Sequence, residues 1–305
     1  MEYRIKYCKE TINIKMKIYP ECGPCMLNRA LLFCEKEDEE TKERVIREVC
    51  RVFSEKFSSD ISTTEMAYLR NRIIENITMD RDPMKTLKEE SLKAAEKIYP
   101  RLEGYVKKIK DGKERFKVAL KIALSGNIVE FGARDHKLDL NKLEEEIFAV
   151  VEGPLAVDDS ERIYENIKNS KEILYVTDNA GELIFDKIFI KELQKYVQIF
   201  VAPLSKPVQD DAWIEDIKKA GIDTLCTIIP RGDFIGVWFE KCSREFLKKW
   251  EDADFIIAKG MACYETLVDY PEMTKGKVAL LMKAKCKPVA RHAGVPLRSN
   301  VVKII

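Results

Sequence analysis

The second half of the chain alternates short β-branched apolar runs with segments of helical periodicity. From about Glu172 onward, each apolar run has strand length and is followed by residues whose apolar positions recur every three or four. The predicted strands cover residues 173–176, 197–201, 224–229, 255–258, 278–282 and 301–305. Such alternation is typical of a mainly parallel sheet with helices on both faces. The sequence therefore predicts a three-layer α/β/α, Rossmann-like fold.

The first half shows only the helical period. Its apolar positions repeat at helical spacing over residues 41–50, 87–98 and 116–123. Thr63-Thr64-Glu65 and Asp82-Pro83 are typical of helix starts. We expect an all-helical N-terminal subdomain over residues 16–150 and an α/β/α domain over 151–305, which a chain of 305 residues is long enough to form.

Composition excludes several classes of protein. The 53 basic and 52 acidic residues are interspersed and leave a net charge of +1, so no basic stripe supports nucleic-acid binding. No apolar run approaches the roughly 18 residues of a membrane span. Residues 1–15 are too polar for a secretory signal, which predicts a cytoplasmic protein. The charged fraction of 34%, balanced in sign, suggests adaptation to heat. We expect a monomer or a weak homo-oligomer.

A carboxylate and a carboxamide stand side by side where the first of these strands ends. Asp178-Asn179-Ala180-Gly181-Glu182 follows that strand and leads into a helical pattern. Ligands of open α/β sheets bind outside the carboxyl ends of the strands. Oxygen ligands suit magnesium or manganese better than zinc. The turn therefore predicts a cation site, although an Asx turn bonded only to local backbone has the same sequence.

Two further strand ends carry charged residues. Asp210 and Asp211 follow the strand at 197–201, and because consecutive parallel strands usually lie side by side, either could complete the metal shell. The alternative is that both cap the helix that begins near Trp213. Lys259 follows the strand at 255–258, where a phosphate beside the metal would need a compact positive charge.

These motifs together resemble the metal-dependent damage-control phosphatases, long catalogued as domain-of-unknown-function family 89. Residues 178–182 match the family's Asp-Asn-Ala-Gly-Glu, and 207–212 are similar to its Pro-x-x-Asn-Asp-Ala. Residues 258–267 resemble its Lys-Gly-x-x-Asn-Tyr-Glu-Thr-Leu. Cys22-Gly23-Pro24-Cys25 and residues 125–132 resemble the paired cysteines and the Gly-Asn-Ile-x-Asp-x-Gly of the prokaryotic branch. The shared order of these motifs makes the resemblance specific.

The chain departs from the family pattern at three places. Asp210 replaces the usual asparagine, Glu130 replaces a frequent aspartate, and Met261-Ala262-Cys263 replaces Gln-Gly-Asn after the lysine. The metal ligands that the resemblance implies, Asp178, Asn179 and Asp211, are retained. Because the changes fall on the wall that faces the substrate, the specificity of relatives does not carry over.

The resemblance implies a phosphatase of small phosphorylated metabolites, such as sugar phosphates or damaged phospho-metabolites. A magnesium, manganese, cobalt or nickel ion would activate a water, and Lys259 would pair with the phosphate. Asp178 acting as a nucleophile is the competing mechanism. Two other classes stay open: a non-catalytic protein that binds metal and an anionic metabolite, and a carboxyl methyltransferase, against which the missing glycine-rich turn speaks.

Further residues near these motifs are candidate contacts of the substrate or of the metal ligands. Asn127 lies in a Gly-Asn turn and either reaches the cleft or caps a helix. Glu182 either orients a metal ligand or favours the positive end of its helix. Arg231 and Asp210 follow strand ends and could contact the substrate. Cys22 and Cys25 form a candidate accessory metal or redox site, without the second Cys-x-x-Cys that a zinc site would need.

Overall fold

A computed structural model describes residues 16–129 and 140–305. Within these two segments the chain forms thirteen α-helices and seven strands. The helices are α1 (Cys22–Phe33), α2 (Glu39–Lys56), α3 (Thr63–Thr78), α4 (Lys85–Lys108), α5 (Gly112–Ser125), α6 (Leu140–Glu152), α7 (Ser160–Asn169), α8 (Leu183–Leu193), α9 (Ile214–Lys219), α10 (Arg244–Asp252), α11 (Gly260–Leu267), α12 (Pro271–Thr274) and α13 (Lys287–Ala293). The strands are β1 (Val157–Asp158), β2 (Glu172–Val176), β3 (Gln198–Ala202), β4 (Thr227–Ile228), β5 (Phe255–Lys259), β6 (Val278–Lys283) and β7 (Asn300–Ile304).

All the strands belong to one sheet in the order β1-β7-β6-β5-β2-β3-β4. Neighbouring strands are parallel except β6 and β7, which are antiparallel. Val176 at the end of β2 is in register with Ala202 at the end of β3 and with Ala258 in β5. The loops that follow these three strands therefore start side by side at one edge of the sheet.

The sheet is buried on both faces, as its runs of apolar residues predict. Ile173 and Tyr175 of β2 point into a core shared with α4 to α8, whereas Leu174 and Val176 point into a core shared with α10, α11 and α13. The order helix, sheet, helix confirms the predicted three-layer α/β/α fold.

The N-terminal helices fall into two groups. Helices α1, α2 and α3 enclose a third core, which includes Val45, Val49 and Met66. Helices α4, α5 and α6 instead cover one face of the sheet, where Phe116 of α5 packs against Phe189 of α8. The domain boundary near residue 150 stays a prediction, because the core of α4 to α6 is continuous with that of the sheet.

Two features of the sheet differ from the sequence-based expectation. The strand predicted at 224–229 is reduced to Thr227–Ile228, and β1 has no counterpart in the prediction. Both are two-residue edge strands, too short for a period to show in the sequence. In the two segments that the structure describes, no helix is both long enough and apolar enough to cross a membrane.

Candidate active site

The loops after β2 and β3 are joined by their backbones. The Ala180 N–H donates to the Asp210 carbonyl oxygen at 2.9 Å, and the Ala212 N–H donates to the Asp178 carbonyl oxygen at 2.8 Å. Asn179 and Asp211 form the bridge between them. These bonds bring the two predicted metal-binding loops together at the edge of the sheet. Neither Asp210 nor Asp211 caps α9, because the N-cap of this helix is Trp213.

A glycine makes room for the Asp178 carboxylate. Gly260 has φ +85°, and a Cβ atom built on it would lie 2.1 Å from the carboxylate carbon of Asp178. The carboxylate thus rests on bare backbone at the start of α11. This contact gives a physical reason for a glycine directly after Lys259, since a side chain here would both strain the backbone and displace Asp178.

The Asn179 carboxamide is oriented by Glu182. Its Nδ2 donates to Glu182 Oε1 at 3.0 Å, which leaves the amide oxygen available as a ligand. Glu182 in turn packs on Gly126, where a Cβ would lie 3.0 Å from the glutamate Cβ. The Asn179 side chain therefore bonds to the Glu182 side chain and forms no capping hydrogen bond with the backbone of the following turn.

Lys259 lies behind the site and is fully buried. Its ammonium donates to Glu182 Oε2 at 2.7 Å, to Asp186 Oδ1 at 2.6 Å and to the Ala123 carbonyl oxygen at 2.8 Å. These bonds occupy the three N–H groups of a lysine. In this arrangement Lys259 supports Glu182, and its predicted contact with phosphate stays a prediction.

Arg231 is also fully buried, beneath Asp211. It donates to the carbonyl oxygens of Ala202 at 2.6 Å and Gly236 at 3.0 Å, and its Nη2 lies 3.6 Å from Asp211 Oδ2. The structure therefore does not bring Glu182, Arg231 or Lys259 to the surface of the cavity in front of these loops, and their predicted substrate contacts stay predictions.

The electrostatics of the site favour a bound cation. Burial and the charges of Glu182 and Asp211 raise the pKa of Asp178 well above its usual value. Burial raises the pKa of Asp211 to about 7, against the opposing charge of Arg231. Asp211 Oδ2 is buried, and no group in the described part of the chain donates a hydrogen bond to it. A divalent cation would relieve each of these costs.

The donor set also fits a hard cation. Among the described residues, no three histidine, cysteine, aspartate or glutamate side chains are grouped as a metal site. Asp178, Asn179 and Asp211 offer two carboxylates and one amide oxygen, the donors that magnesium and manganese prefer. The residues therefore fit the predicted metal.

These side chains line a cavity of about 280 Å³. We call Asp178, Asn179, Asp210 and Asp211 the acidic wall, and we call Arg29, Arg70 and Lys285 the basic wall. Further lining residues come from the start of α1, α3, the loops after β3 and β4, α11 and the start of α13, namely Glu21, Cys22, Cys25, Met26, Thr63, Ala67, Gln209, Ile235, Met261, Ala262, Glu265, Cys286, Lys287 and Pro288.

The basic wall was missed by the sequence analysis. Arg29 donates to Gln209 Oε1 at 3.2 Å and lies 3.7 Å from Asp210 Oδ1, so this member of the basic wall lies next to the acidic wall. Lys285 follows the end of β6, and burial together with the charge of Arg29 lowers its pKa to about 7. One signal was present, because Arg70 occupies the apolar stripe of α3 with Ala67 and Ile74.

Three other lining residues carry chemistry. Burial raises the pKa of the Glu265 carboxyl to about 7. Cys22 and Cys25 open α1 at the rim of the cavity as free thiols, and burial raises the pKa of Cys22. Their predicted metal or redox role stays a prediction. The side chain of Asn127 and all of Glu130 lie outside the described part of the structure.

Comparison with known proteins places this geometry in context. The model of the damage-control phosphatase ARMT1-like domain matches residues 18–301. An uncharacterised protein of Methanocaldococcus jannaschii is 34% identical over 304 residues, covering 98% of this chain and 97% of the relative. A protein of Archaeoglobus fulgidus named damage-control phosphatase is 31% identical over 296 residues, covering 95% of this chain and 100% of the relative.

A solved structure has the same fold. The crystal structure of a protein of domain-of-unknown-function family 89 from Pyrococcus horikoshii superposes with a TM-score of 0.85 at 29% identity, covering 94% of this chain and 99% of that chain. A relative from Pyrococcus horikoshii named damage-control phosphatase is 31% identical over 286 residues, covering 92% of this chain and 96% of the relative.

Proposed function

The chain belongs to the ARMT1-like damage-control phosphatase family, and from this premise we propose that it hydrolyses small phosphorylated metabolites in the cavity between the acidic and basic walls. Membership makes it a phosphatase of the metabolite-repair type. The proposal adds the reaction site and the cation. The observation that carries it is the pairing of the loops after β2 and β3, which brings Asp178, Asn179 and Asp211 to the same part of the cavity.

The acidic wall would hold a divalent cation, of which magnesium, manganese, cobalt and nickel are the candidates. When bound, such an ion supplies neutralisation of phosphoryl oxygens and a lower pKa for water. The ligands would be the carboxylates of Asp178 and Asp211 and the amide oxygen of Asn179. Glu182 fixes the amide, because it accepts the hydrogen bond from Asn179 Nδ2.

The remaining residues of the cavity supply charge and a proton. Arg29 lies beside Asp210 and would contact a phosphate held at the acidic wall. The Glu265 carboxyl has a pKa of about 7, so it can hold a proton near neutral pH and deliver it to the leaving oxygen. Lys259 keeps Glu182 in place through its 2.7 Å bond.

The test is phosphate release from sugar phosphates, phosphorylated cofactors and p-nitrophenyl phosphate, with each of the four cations in turn. The variant is Asp178→Asn, which keeps the shape of the side chain and removes its charge. We expect release that requires a cation and falls by about 10³-fold or more in the variant. Asp223→Asn, an exposed position on the same domain, is the matched control and should keep full activity.

Two results would contradict the proposal. Release that persists in Asp178→Asn would put the reaction elsewhere. No release with any cation, from a protein that binds these compounds in calorimetry, would favour the non-catalytic binding protein.

A further inference from the structure

Arg70 is a buried guanidinium that has no ionic partner among the described residues. It is 1% exposed, and its Nε and Nη2 both donate to Asn71 Oδ1, at 3.1 and 2.8 Å. Its Cζ lies 5.0 Å from the centre of the Phe33 ring. No carboxylate in the described part of the chain forms an ion pair with it, and Nη1 has no hydrogen-bond acceptor there. A buried charge in this state is costly unless something pairs with it.

The surroundings of Arg70 increase that cost. Burial lowers its pKa to about 9, and the charge of Arg29 acts in the same direction. A bond to a neutral carboxamide and a contact with a ring replace only part of the hydration that a guanidinium loses. Arg70 lines the cavity that holds the acidic wall, so a ligand in this cavity could supply the missing anion.

We propose that Arg70 binds an anionic group of the substrate other than the phosphate that is hydrolysed, so that the cavity selects phosphorylated compounds with a second acidic group, such as a carboxylate. This inference rests on the proposed function. Guanidinium groups bind carboxylates through two parallel hydrogen bonds, which a lysine cannot reproduce.

The position of Arg70 favours a second group over the scissile phosphate. The charges that act on Arg29 include those of Asp178, Asp210 and Asp211, so Arg29 lies near the predicted metal ligands. Of the three aspartates of the acidic wall, Asp210 alone is among the charges that act on Arg70, and it is the smallest of them. A phosphate at Asp178 and Asp211 would therefore meet Arg29 first. The cavity of about 280 Å³ is near the lower limit, roughly 300 Å³, of small-molecule sites, and so has space for more than a phosphate.

The experiment compares two substrates that differ in one group. 3-Phosphoglycerate and glycerol 3-phosphate share a three-carbon chain and one phosphate, and only the first has a carboxylate. We expect the KM of the wild type to be lower for 3-phosphoglycerate by about tenfold or more. Arg70→Met should remove this preference by raising the KM for 3-phosphoglycerate alone, with kcat changed less than about threefold. Arg70→Lys should keep part of it.

Other outcomes overturn the inference. An equal rise of KM for both compounds would mean that Arg70 contacts the scissile phosphate. Unchanged KM values would mean that it serves only the packing of α1 and α3. The control is Arg72→Met on the same helix, because Arg72 pairs with Glu75 and Asp233 and does not line this cavity. Thermal midpoints of all variants separate loss of binding from loss of fold.

Calorimetry separates this inference from the proposed function. If the wild type hydrolyses neither compound, the phosphatase proposal fails for both, and binding still tests Arg70. The ratio of the two dissociation constants should favour 3-phosphoglycerate in the wild type and approach one in Arg70→Met. A ratio near one in the wild type overturns the inference whether or not turnover occurs.

Discussion

The two walls of the cavity differ in how their charges are paired. Behind the acidic wall, Lys259 is bonded to Glu182, Asp186 and a carbonyl oxygen, and this network fixes Asn179. In the basic wall, the partners of Arg70 within residues 16–129 and 140–305 are one carboxamide and one ring. The acidic wall is held by the protein itself, whereas the basic wall leaves a positive charge for a ligand to neutralise.

This difference follows from the elements that carry the walls. The acidic wall comes from adjacent parallel strands, whose loops are tied by backbone hydrogen bonds. The basic wall comes from α1, α3 and the loop after β6, which meet only through tertiary packing. One wall is suited to fix a cation, and the other to choose among substrates.

The largest effect that we expect is a difference in the free energy of unfolding between variants of the two buried cations, Lys259 and Arg70. Lys259→Met removes the cation that pairs with the buried carboxylates of Glu182 and Asp186, and should lower the free energy of unfolding by about 3–5 kcal/mol at pH 7. Arg70→Met removes a buried charge that forms no ion pair with any described residue, so the free energy of unfolding should be unchanged or higher. Urea denaturation measures both. Lys248→Met, on the exposed face of α10, should stay within about 0.5 kcal/mol of the wild type.

The pH dependence of the same measurement provides a check. Burial already raises the pKa values of Glu182 and Asp186 in the wild type. Without Lys259 these pKa values should rise further, so that the folded variant binds more protons than its unfolded chain. The loss of unfolding free energy in Lys259→Met, relative to the wild type, should therefore shrink as pH falls from 7 to 5. A loss of unfolding free energy in Lys259→Met that does not depend on pH would refute the contrast between the walls. Equal losses in Lys259→Met and Arg70→Met would refute it as well.

The fold could be predicted from the sequence because its main strands and helices each show a local hydrophobic periodicity. The strands β2, β3, β5, β6 and β7 each coincide with a predicted apolar run, and α3 begins at Thr63 as predicted, with Ser62 as its cap. The antiparallel direction of β7 and the existence of β1 were not predictable, because strand direction and two-residue pairings leave no period in the sequence.

The acidic wall was predicted because Asp178 and Asn179 come just after the end of β2 and Asp211 lies in the loop that follows β3. The basic wall was not, because a basic residue on a helix usually faces water. Arg70 acquires its role only when α3 packs against the sheet domain. The strand-end motif predicts that Lys259 contacts the phosphate. Lys259 is instead buried against α5 and α8, which supply two of its hydrogen-bond partners, and the motif carries no information about the packing of these helices.

A smaller effect should test how closely the acidic wall is fixed. Gly260→Ala would set a Cβ 2.1 Å from the Asp178 carboxylate carbon, so the carboxylate must move. Displacements of about 1 Å can cost roughly 10²-fold in rate, and we expect kcat/KM to fall by about that factor. Phosphate release with the best substrate and cation measures it.

The control for this variant is another glycine with a positive φ. Gly276 has φ +71°, and a Cβ atom added to it would meet nothing within 4 Å, so Gly276→Ala carries the backbone strain without the clash. It should cost about 1 kcal/mol of stability and leave activity intact. Similar activity in the two variants would mean that Asp178 is not held as tightly as the contact suggests.

The smallest effect concerns the charge of the basic wall as a function of pH. Lys285 has a lowered pKa and Glu265 a raised pKa, both about 7. As pH rises through 7, Lys285 loses its positive charge and Glu265 gains a negative one, while Arg29 keeps its charge. Both changes oppose anion binding, so the affinity for sulfate, whose own charge is constant, should fall by about tenfold between pH 6 and 8 in calorimetry.

Substitutions assign this pH dependence to its residues. Lys285→Met should bind sulfate more weakly at pH 6 and flatten the profile, and Glu265→Gln should flatten it while keeping the affinity found at pH 6. Asp211, with a pKa of about 7, titrates in the same range. The variant that combines Lys285→Met with Glu265→Gln should therefore keep part of the dependence of sulfate affinity on pH, which would come from the acidic wall. A full slope in the double variant would assign the pH dependence to the acidic wall alone and leave the basic wall with fixed charge, which would weaken its role in selecting anions.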